Sequence, residues 1–303
     1  MNYYTTSRLE EKIFTIVNVL IMLIIGAVTL YPFWNTIAVS FNNATDTTRG
    51  GVTLWPRVFS TQNYKAVFSS GTIYHAFYIS VLRTVIQTVT GVFFTSMLAF
   101  ALSRKEFVLR KPFTIIIIVS MYINAGLIPA YFLMRSLHLI NTFWVYVVPG
   151  MISAFNFVVI RTYMNSLPES IIESARIDGC GDFVIFMRII LPLCLPVLAT
   201  IALFVAVGAW NSWFDTMIYN SGRANLHTLQ YKLMEYLQSS QSQAKSAAAI
   251  GAMGMNQDAA NSMVTPVSIR AAITVVAALP ILAVYPFLQR YFVVGLNVGG
   301  VKE

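Results

Sequence analysis

The stretch Met164–Pro196, MNSLPESIIESARIDGCGDFVIFMRIILPLCLP, carries the most informative pattern in the chain. Pro168 and Glu169 are typical of a helix start, because proline fits the first turn and an acid is favoured at the positive end of the helix dipole. The Ser166 hydroxyl is available to cap free amides there. Gly179 then ends the helix, since glycine adopts the positive φ that other residues avoid. The pattern predicts a helix, a turn and a second short helix.

The first predicted helix is amphipathic. Its apolar residues are Ile171, Ile172, Ala175 and Ile177, and its polar residues are Glu169, Glu173 and Arg176. On periodicity alone, the pattern is as typical of an ordinary amphipathic loop that rests on lipid headgroups as of a helix with a specific role. The choice between these interpretations depends on the rest of the chain.

The chain as a whole has the composition of a membrane protein. Of its 303 residues, 57% are hydrophobic and 11% are charged, whereas soluble domains have about 25% charged residues. So little polar surface cannot cover a soluble domain, and the apolar excess is expected to face lipid. Six windows of 19 to 26 residues contain no charged side chain, and about 20 such residues cross the hydrocarbon core as a helix.

These windows predict an all-α membrane protein with six transmembrane helices, in a single domain over residues 1–303. The predicted spans are about 13–34, 74–103, 112–134, 139–164, 189–214 and 270–290. The connecting segments are the loop 165–192, the outer loops 35–73 and 215–269, and the tail 291–303. Pro149 and Gly150 predict a kink in the fourth span. Arg83 and Asp215 border uncharged windows, and we expect both to be interfacial.

The distribution of Lys and Arg predicts which side the loops face. If both termini are cytoplasmic, the inside segments hold 11 basic residues in 63 positions and the outside segments hold 9 in 109. The positive-inside rule expects this excess, to which the turn SRKEFVLRK (103–111) contributes most. We therefore expect a multi-pass protein of the cell membrane with both termini in the cytoplasm. The net charge of +8 is then a topology signal, and nucleic acid is not an expected partner.

Missing motifs disfavour several classes of function. No Gly-Lys dipeptide occurs, so a phosphate-binding P-loop is absent, and the three histidines are too scattered for a zinc helix. Ionisable residues are nearly absent from the spans, which argues against a proton relay or an ion-coupled carrier. No motif is repeated, so a transport pathway is expected to be shared with a second subunit.

The spacing of residues in the loop 165–192 favours one interpretation of that loop. Glu173, Gly179, Ile189 and Leu191-Pro192 follow the pattern E-A-A-x3-G-x9-I-x-L-P, with Ser174 in place of the first alanine. The segment resembles the EAA loop of ABC importer permeases. The run ESARIDG is particularly similar to the carbohydrate branch, and the sequence looks like the maltose-type permease that pairs with a second, different permease.

Three other segments carry the same resemblance, which covers most of the chain. The tail QRYFVVGLNVGGVKE (289–303) resembles the maltose-type C-terminus, which in that family enters the ATPase dimer. WNSWF (210–214) resembles the Trp-Asn pair usual at the end of the fifth span. GVTLWP (51–56) resembles the first outer loop of permeases for larger oligosaccharides and polysaccharide fragments.

The resemblance implies a type I ABC importer permease fold with a cytoplasmic coupling helix that docks on a separate ATPase. For Glu173, an internal cap or a solvated charge is the alternative. The implied coupling residues are Glu173, Ser174, Ala175, Ile177, Asp178 and Gly179, the structural residues of the loop are Ile189, Leu191 and Pro192, and the ATPase-contacting tail residues are Gly299, Gly300, Val301 and Lys302.

The resemblance also implies partners. They are a second, different permease subunit, two cytoplasmic ATP-binding subunits, an extracellular or periplasmic sugar-binding protein and membrane lipid. No cofactor is expected in this chain, since ATP and Mg bind the ATPase. In the family the loop within 215–269 reaches the binding protein, although its Ser-, Gln-, Ala- and Gly-rich part fits disorder equally well. Trp210, Trp213 and Tyr219 could stack on a sugar ring or act as interfacial aromatic residues.

We therefore predict a non-enzymatic permease subunit of an ATP-driven carbohydrate importer, with an oligosaccharide as the expected cargo. The alternatives are an ABC permease for phosphate, amino acids or peptides, a gated pore without an ATPase, and an intramembrane enzyme. The enzyme is disfavoured because the spans hold no constellation of His, Asp and Cys.

Overall fold

A computed structural model describes residues 8–69, 71–239 and 265–297. The predicted tail residues 299–302 and the part of the outer loop from 240 to 264 lie outside the described residues.

The chain forms two compact units, each built from two separate parts of the sequence. The first unit comprises Met1–Ser70 and Glu235–Ala278, and the second comprises Gly71–Met234 and Leu279–Glu303.

In the first unit, three helices precede the boundary at residue 70. They are α1 (Arg8–Ser40), α2 (Ala44–Thr48) and α3 (Gln62–Ser69). α1 covers the predicted first span. No residue of its apolar window is buried in the chain by itself, as expected for a helix that faces lipid or another subunit.

The predicted outer loop 35–73 is a folded connection. The Asn63 side-chain amide donates to the carbonyls of Ser40 and Asn42, both at 2.9 Å. The Trp34 indole N–H donates to the Leu54 carbonyl at 2.7 Å. These bonds close the segment onto the end of α1, and the buried Asn63 is satisfied by them.

The remaining helices belong mainly to the second unit, although α13 and α14 each contain residues of both units. They are α4 (Thr72–Ser103), α5 (Arg110–Ser120), α6 (Leu127–Ser136), the 3-10 turns Phe143–Tyr146 and Val148–Gly150, α7 (Ala154–Asn165), α8 (Glu169–Ile177), α9 (Asp182–Ile185), the π turn Phe186–Ile190, α10 (Leu191–Leu193), α11 (Leu195–Asn211), α12 (Phe214–Tyr219), the 3-10 turn Ala224–Leu226, α13 (229–239) and α14 (Pro266–Asn297).

The core of the second unit forms where α4 packs against α7 and α11. Ala99, Phe157 and Ile160 are fully buried there, and Ile201 is 1% exposed. The same cluster extends to residues of α8 and of the π turn. The loop that contains the EAA pattern is therefore joined to the bundle by apolar packing.

The number of spans predicted from hydropathy is only partly supported. Glu10–Ser40 and Thr72–Ser103 are long and apolar enough to cross a bilayer as single helices among the described residues. Two further bent helix pairs bring the number to four if each pair is one span. The count of six remains a prediction.

Three predicted spans are not straight helices. The kink expected in the fourth span is confirmed as a 45° bend between Phe143–Gly150 and Ala154–Asn165. The third span, 112–134, is interrupted between α5 and α6, where Gly126 has φ +86° and donates its N–H to the Asn124 side chain. The fifth span, 189–214, is wrong as a single helix, because the chain turns by 83° between Asp182–Leu193 and α11.

The core predicts a contrast between two phenylalanines on α7. Phe157→Ala should lower the free energy of unfolding by about 3–5 kcal/mol, because it leaves a cavity in a fully packed site, and Phe157 is 0% exposed. Phe155→Ala is the matched control, since Phe155 is 54% exposed. Thermal unfolding of the purified chain in detergent measures both, and equal shifts for the two variants would contradict the assigned packing.

Candidate functional site

The EAA loop (165–192) begins with α8, whose start agrees with the sequence pattern. Pro168 precedes the helix with φ −60° and ψ 126°, and Glu169 is its first residue. The expected cap by Ser166 is wrong, since the N-cap residue of α8 is Pro168 and no side chain caps this helix, and the Ser166 hydroxyl donates to the Tyr163 carbonyl at 2.7 Å. Ser166 therefore belongs to the end of α7.

The turn predicted at Gly179 is confirmed. Gly179 has φ +81°, its N–H donates to the Arg176 carbonyl at 2.9 Å, and the Cys180 N–H donates to the Ala175 carbonyl at 3.0 Å. These two bonds form a Schellman motif, which requires a left-handed residue at the position of Gly179. The motif fixes the direction in which the chain leaves α8.

The two faces of α8 differ sharply in exposure. Ile172 and Ala175 are 3% and 6% exposed and join the core cluster. Glu173 and Ser174 are exposed, and Ile177 is 86% exposed. Ile177 was expected on the apolar side with Ile172, but it lies on the exposed face. Ala175 faces the bundle, so it anchors the helix and is not on the exposed face.

The remaining predicted residues of the EAA loop differ in exposure, and some of them pack on the same core as the buried face of α8. Asp178 and Gly179 are exposed at the end of α8. Ile189 and Leu191 are half-buried and pack against the same core cluster as α8. Pro192 is exposed just before the 83° turn into α11. The core cluster thus brings Ala175, Ile189 and Leu191 together.

Ion pairs connect α8 to the turn that joins α4 and α5. Lys105 pairs with Glu169, and Arg176 pairs with Glu106 and, at 3.1 Å, with Asp182. The hydrogen bond from Arg176 lowers the pKa of the Glu106 carboxyl below its usual range. The depressed pKa means that this pair is formed at neutral pH and is lost only as the pH falls through that lowered value.

A cavity of about 410 Å³ lies beside these pairs. Its walls consist of four phenylalanines, four charged side chains, one methionine and one alanine. The residues are Met97, Phe100, Ala101, Arg104, Glu106, Phe107, Arg176, Asp182, Phe183 and Phe186. The Arg104 guanidinium lies over the Phe100 ring, 5.0 Å from its centroid. Close packing between α9 and the end of α4 is therefore incomplete on this side.

A second polar cluster lies within α4 and was not predicted as a site. Arg83, for which an interfacial position remains a prediction, is 2% exposed and pairs with Asp215. Its guanidinium also donates to the Ser212 carbonyl at 3.3 Å and lies 4.6 Å from the centroid of the Tyr146 ring. α4 continues beyond Arg83 to Thr72, so the charge is inside the helix and is stabilised by its pairing.

This Arg83 cluster extends through hydroxyl groups. The Ser212 hydroxyl donates to Asp215 at 2.8 Å, and the Tyr146 hydroxyl contacts Thr216 and the Leu226 carbonyl at 3.0 and 2.8 Å. An Arg and an Asp at the edges of two uncharged windows were the only signal in the sequence.

The aromatic side chains proposed for sugar contact pack mostly against other side chains of the same chain. Trp210 is 5% exposed and packs edge-to-face with Phe77. Tyr219 stacks on Tyr131 with ring centroids 6.1 Å apart. Trp213 is half-buried beside Phe214. Among the described residues, no group of three His, Cys, Asp or Glu side chains could hold a metal ion.

The fold combines apolar helices with a short helix, α8, that is buried on one face and exposed on the other. This arrangement is the one expected of a subunit of a membrane transporter. Residues 91–298 match the family of the binding-protein-dependent transport system inner membrane component. Protein LplC of Bacillus subtilis is 36% identical over 292 residues, covering 96% of this chain and 95% of that protein. The chain belongs to this family of transport-system membrane subunits.

Two further proteins are similar over nearly the whole chain. The polygalacturonan/rhamnogalacturonan transport system permease protein YtcP of B. subtilis is 33% identical and covers 97% of this chain and 100% of its own length. A chain of a bacterial ABC transporter involved in the import of the acidic polysaccharide alginate is 29% identical, with a TM-score of 0.81, over 96% of this chain and 100% of that chain.

The turn after α8 leads to a prediction for two nearby glycines. Gly179→Ala should reduce ATP hydrolysis by the assembled transporter, because a left-handed conformation costs an alanine about 1–2 kcal/mol and the turn would shift. Gly181→Ala is the matched control, since Gly181 has φ −73° and a Cβ at either position meets nothing within 4 Å. Equal activity of the two variants would contradict a role for the turn geometry.

The Arg83 cluster leads to a prediction for stability. Asp215→Asn should destabilise the chain by about 3–5 kcal/mol, because it leaves the buried Arg83 charge without its carboxylate. The double variant Arg83→Met with Asp215→Leu should recover most of that loss, since neither charge remains. Thermal unfolding in detergent gives both values, and a double variant as unstable as the single one would refute the pairing.

Proposed function

We propose that this chain is one of two different permease subunits that form the translocation pathway of an ATP-driven oligosaccharide importer. The observation that carries the proposal is the exposed face of α8 in a chain of this transport family. One face of α8 packs on the bundle through Ile172 and Ala175, whereas the opposite face, with Ile177 86% exposed, is left available for a partner. The family supplies the direction of transport, and the names of YtcP and the alginate importer favour carbohydrate cargo.

The contact with the ATPase is proposed to use the outward side of α8. Glu173 would meet a basic residue of the ATP-binding subunit in a charge-assisted hydrogen bond. Ser174 permits close approach, and Ile177 would fill an apolar pocket. The Gly179 turn sets the docking angle, so closure of the two ATPases becomes a rigid-body movement of α8 and the bundle behind it.

The division of labour follows from this contact. ATP and Mg would be bound by the two ATPase subunits, and this chain would have neither a catalytic residue nor a cofactor. The tail residues Gly299, Gly300, Val301 and Lys302 are proposed to touch the same ATPase, on the strength of their sequence resemblance alone.

The proposed orientation places α8, the 103–111 turn and both termini in the cytoplasm. The twofold higher density of Lys and Arg in those segments supports it. A sugar-binding protein would then deliver the cargo on the opposite side, where the outer loops 35–73 and 215–269 lie.

The exposed face of α8 gives the test of ATPase recruitment. Glu173→Lys and Ile177→Glu should each abolish copurification of the ATP-binding subunits with this chain, because one reverses a contact charge and the other places a charge in an apolar contact. Val108→Glu is the matched control, since Val108 is 88% exposed on the neighbouring turn. Full transport by Glu173→Lys would favour the pore without an ATPase.

The cargo class has its own test. The purified complex with its binding protein should hydrolyse ATP faster when oligogalacturonides, alginate oligosaccharides or arabino-oligosaccharides are added. Phosphate, amino acids and peptides are the competing solutes, and stimulation by one of them instead would replace carbohydrate as the cargo.

A further inference from the structure

The turn between α4 and α5 (103–111) makes ion pairs that its role in setting the membrane topology does not explain. Of its four basic residues, Lys105 makes an ion pair with α8, whereas Arg110 and Lys111 make none among the described residues. Glu106, the single acid of the turn, also pairs with α8. Basic residues that set the orientation of the chain in the membrane need no ion-pair partner. The two pairs with α8 therefore require a separate explanation.

The pairs contact α8 at two points with matched charges. Glu169 and Arg176 are seven residues apart, which is two helical turns, so they lie on the same side of α8. Lys105 meets the acid of that side and Glu106 meets the base. Reversing the helix or rotating it by half a turn would place like charges together or remove the contacts. The two pairs therefore form together only in the observed direction and rotation of α8.

The cavity lies on the side of α8 that carries these ion pairs. Glu106, Arg176 and Asp182 all line the 410 Å³ space beside the end of α4. Apolar packing anchors α8 through Ile172 and Ala175, but next to the cavity the charged side chains make the contact across the gap. Exposed ion pairs add little to stability, so the role that we assign to them is the link between α8 and the α4–α5 turn.

We propose that Lys105 and Glu106 are positioning residues that join α8 to α4, so that a movement imposed on α8 by the ATPase reaches α4. This inference rests on the proposed docking of the ATPase on α8. It assigns to the α4–α5 turn the transfer of movement, and to the exposed face of α8 the binding of the partner.

The test separates transfer of movement from binding. A nitroxide label is placed at Val85→Cys, on the 55% exposed side of α4, in a chain with Cys180 and Cys194 replaced by alanine. The assembled complex is studied in lipid nanodiscs, and the accessibility of the label to a water-soluble relaxation agent is compared before and after ATP with vanadate. The variants are Arg176→Glu, the exchange that combines Arg176→Glu with Glu106→Arg and with Asp182→Asn so that no carboxylate faces the new acid, and Lys111→Glu as a charge-reversal control from the same basic turn.

We expect the ATP-dependent change at the label to be lost in Arg176→Glu, restored by the exchange and retained in Lys111→Glu. The ATP-binding subunits should copurify with all of these variants, because the exposed face of α8 is unaltered. A retained change in Arg176→Glu, no restoration by the exchange, or no ATP-dependent change in the parent chain would each overturn the inference. Failure of the ATPase to copurify with the parent chain would instead refute the proposed function.

Discussion

The packing of α4 against α7 and α11 is the constraint on which the second unit depends. α4 is a single helix of 32 residues, which corresponds to about 48 Å. Small residues let its neighbours approach closely, and a Cβ at Gly91 would lie 3.2 Å from the Gly150 carbonyl oxygen. Between helices in lipid, such close contact takes the place of the hydrophobic effect. α4 also supplies a hydrogen bond to the bent fourth span, since the Thr95 hydroxyl donates to the Met151 carbonyl at 3.2 Å, and such bonds make a break tolerable.

α8 illustrates how a polar segment becomes rigid beside such a bundle. A helix of nine residues is too short to be stable alone. The stability that its length does not provide comes from two buried side chains, from the Schellman motif at Gly179 and from the ion pairs with Lys105 and Glu106. Its outward face, where Ile177 is 86% exposed, does not join the core cluster, and this is the face that the proposed docking of the ATPase would use.

The sequence predicted the features that depend on local chemistry. The Gly179 turn and the start at Glu169 follow from preferences of single residues, and the spacing from Glu173 to Pro192 identified the loop. The breaks at Gly126 and before α11 were missed, because a hydropathy window counts charges and ignores backbone angles. Asn124 beside Gly126 was the visible signal of the first break, and the flanking prolines of Cys194 were the signal of the second.

The burial of Arg83 was not foreseen for a related reason, since a hydropathy window does not show which charges are paired inside the protein. Its position now has a consequence for the whole of α4. At 1.5 Å per residue, Arg83 lies about 30 Å from Ser103 along the helix. Breaking a buried pair is costly, so the Arg83 cluster ties α4 firmly to Asp215 and the segment after Trp210. Because a continuous helix is stiff along its axis, a movement that reached α4 through α8, as proposed, would be carried along α4 to the segment that Arg83 holds.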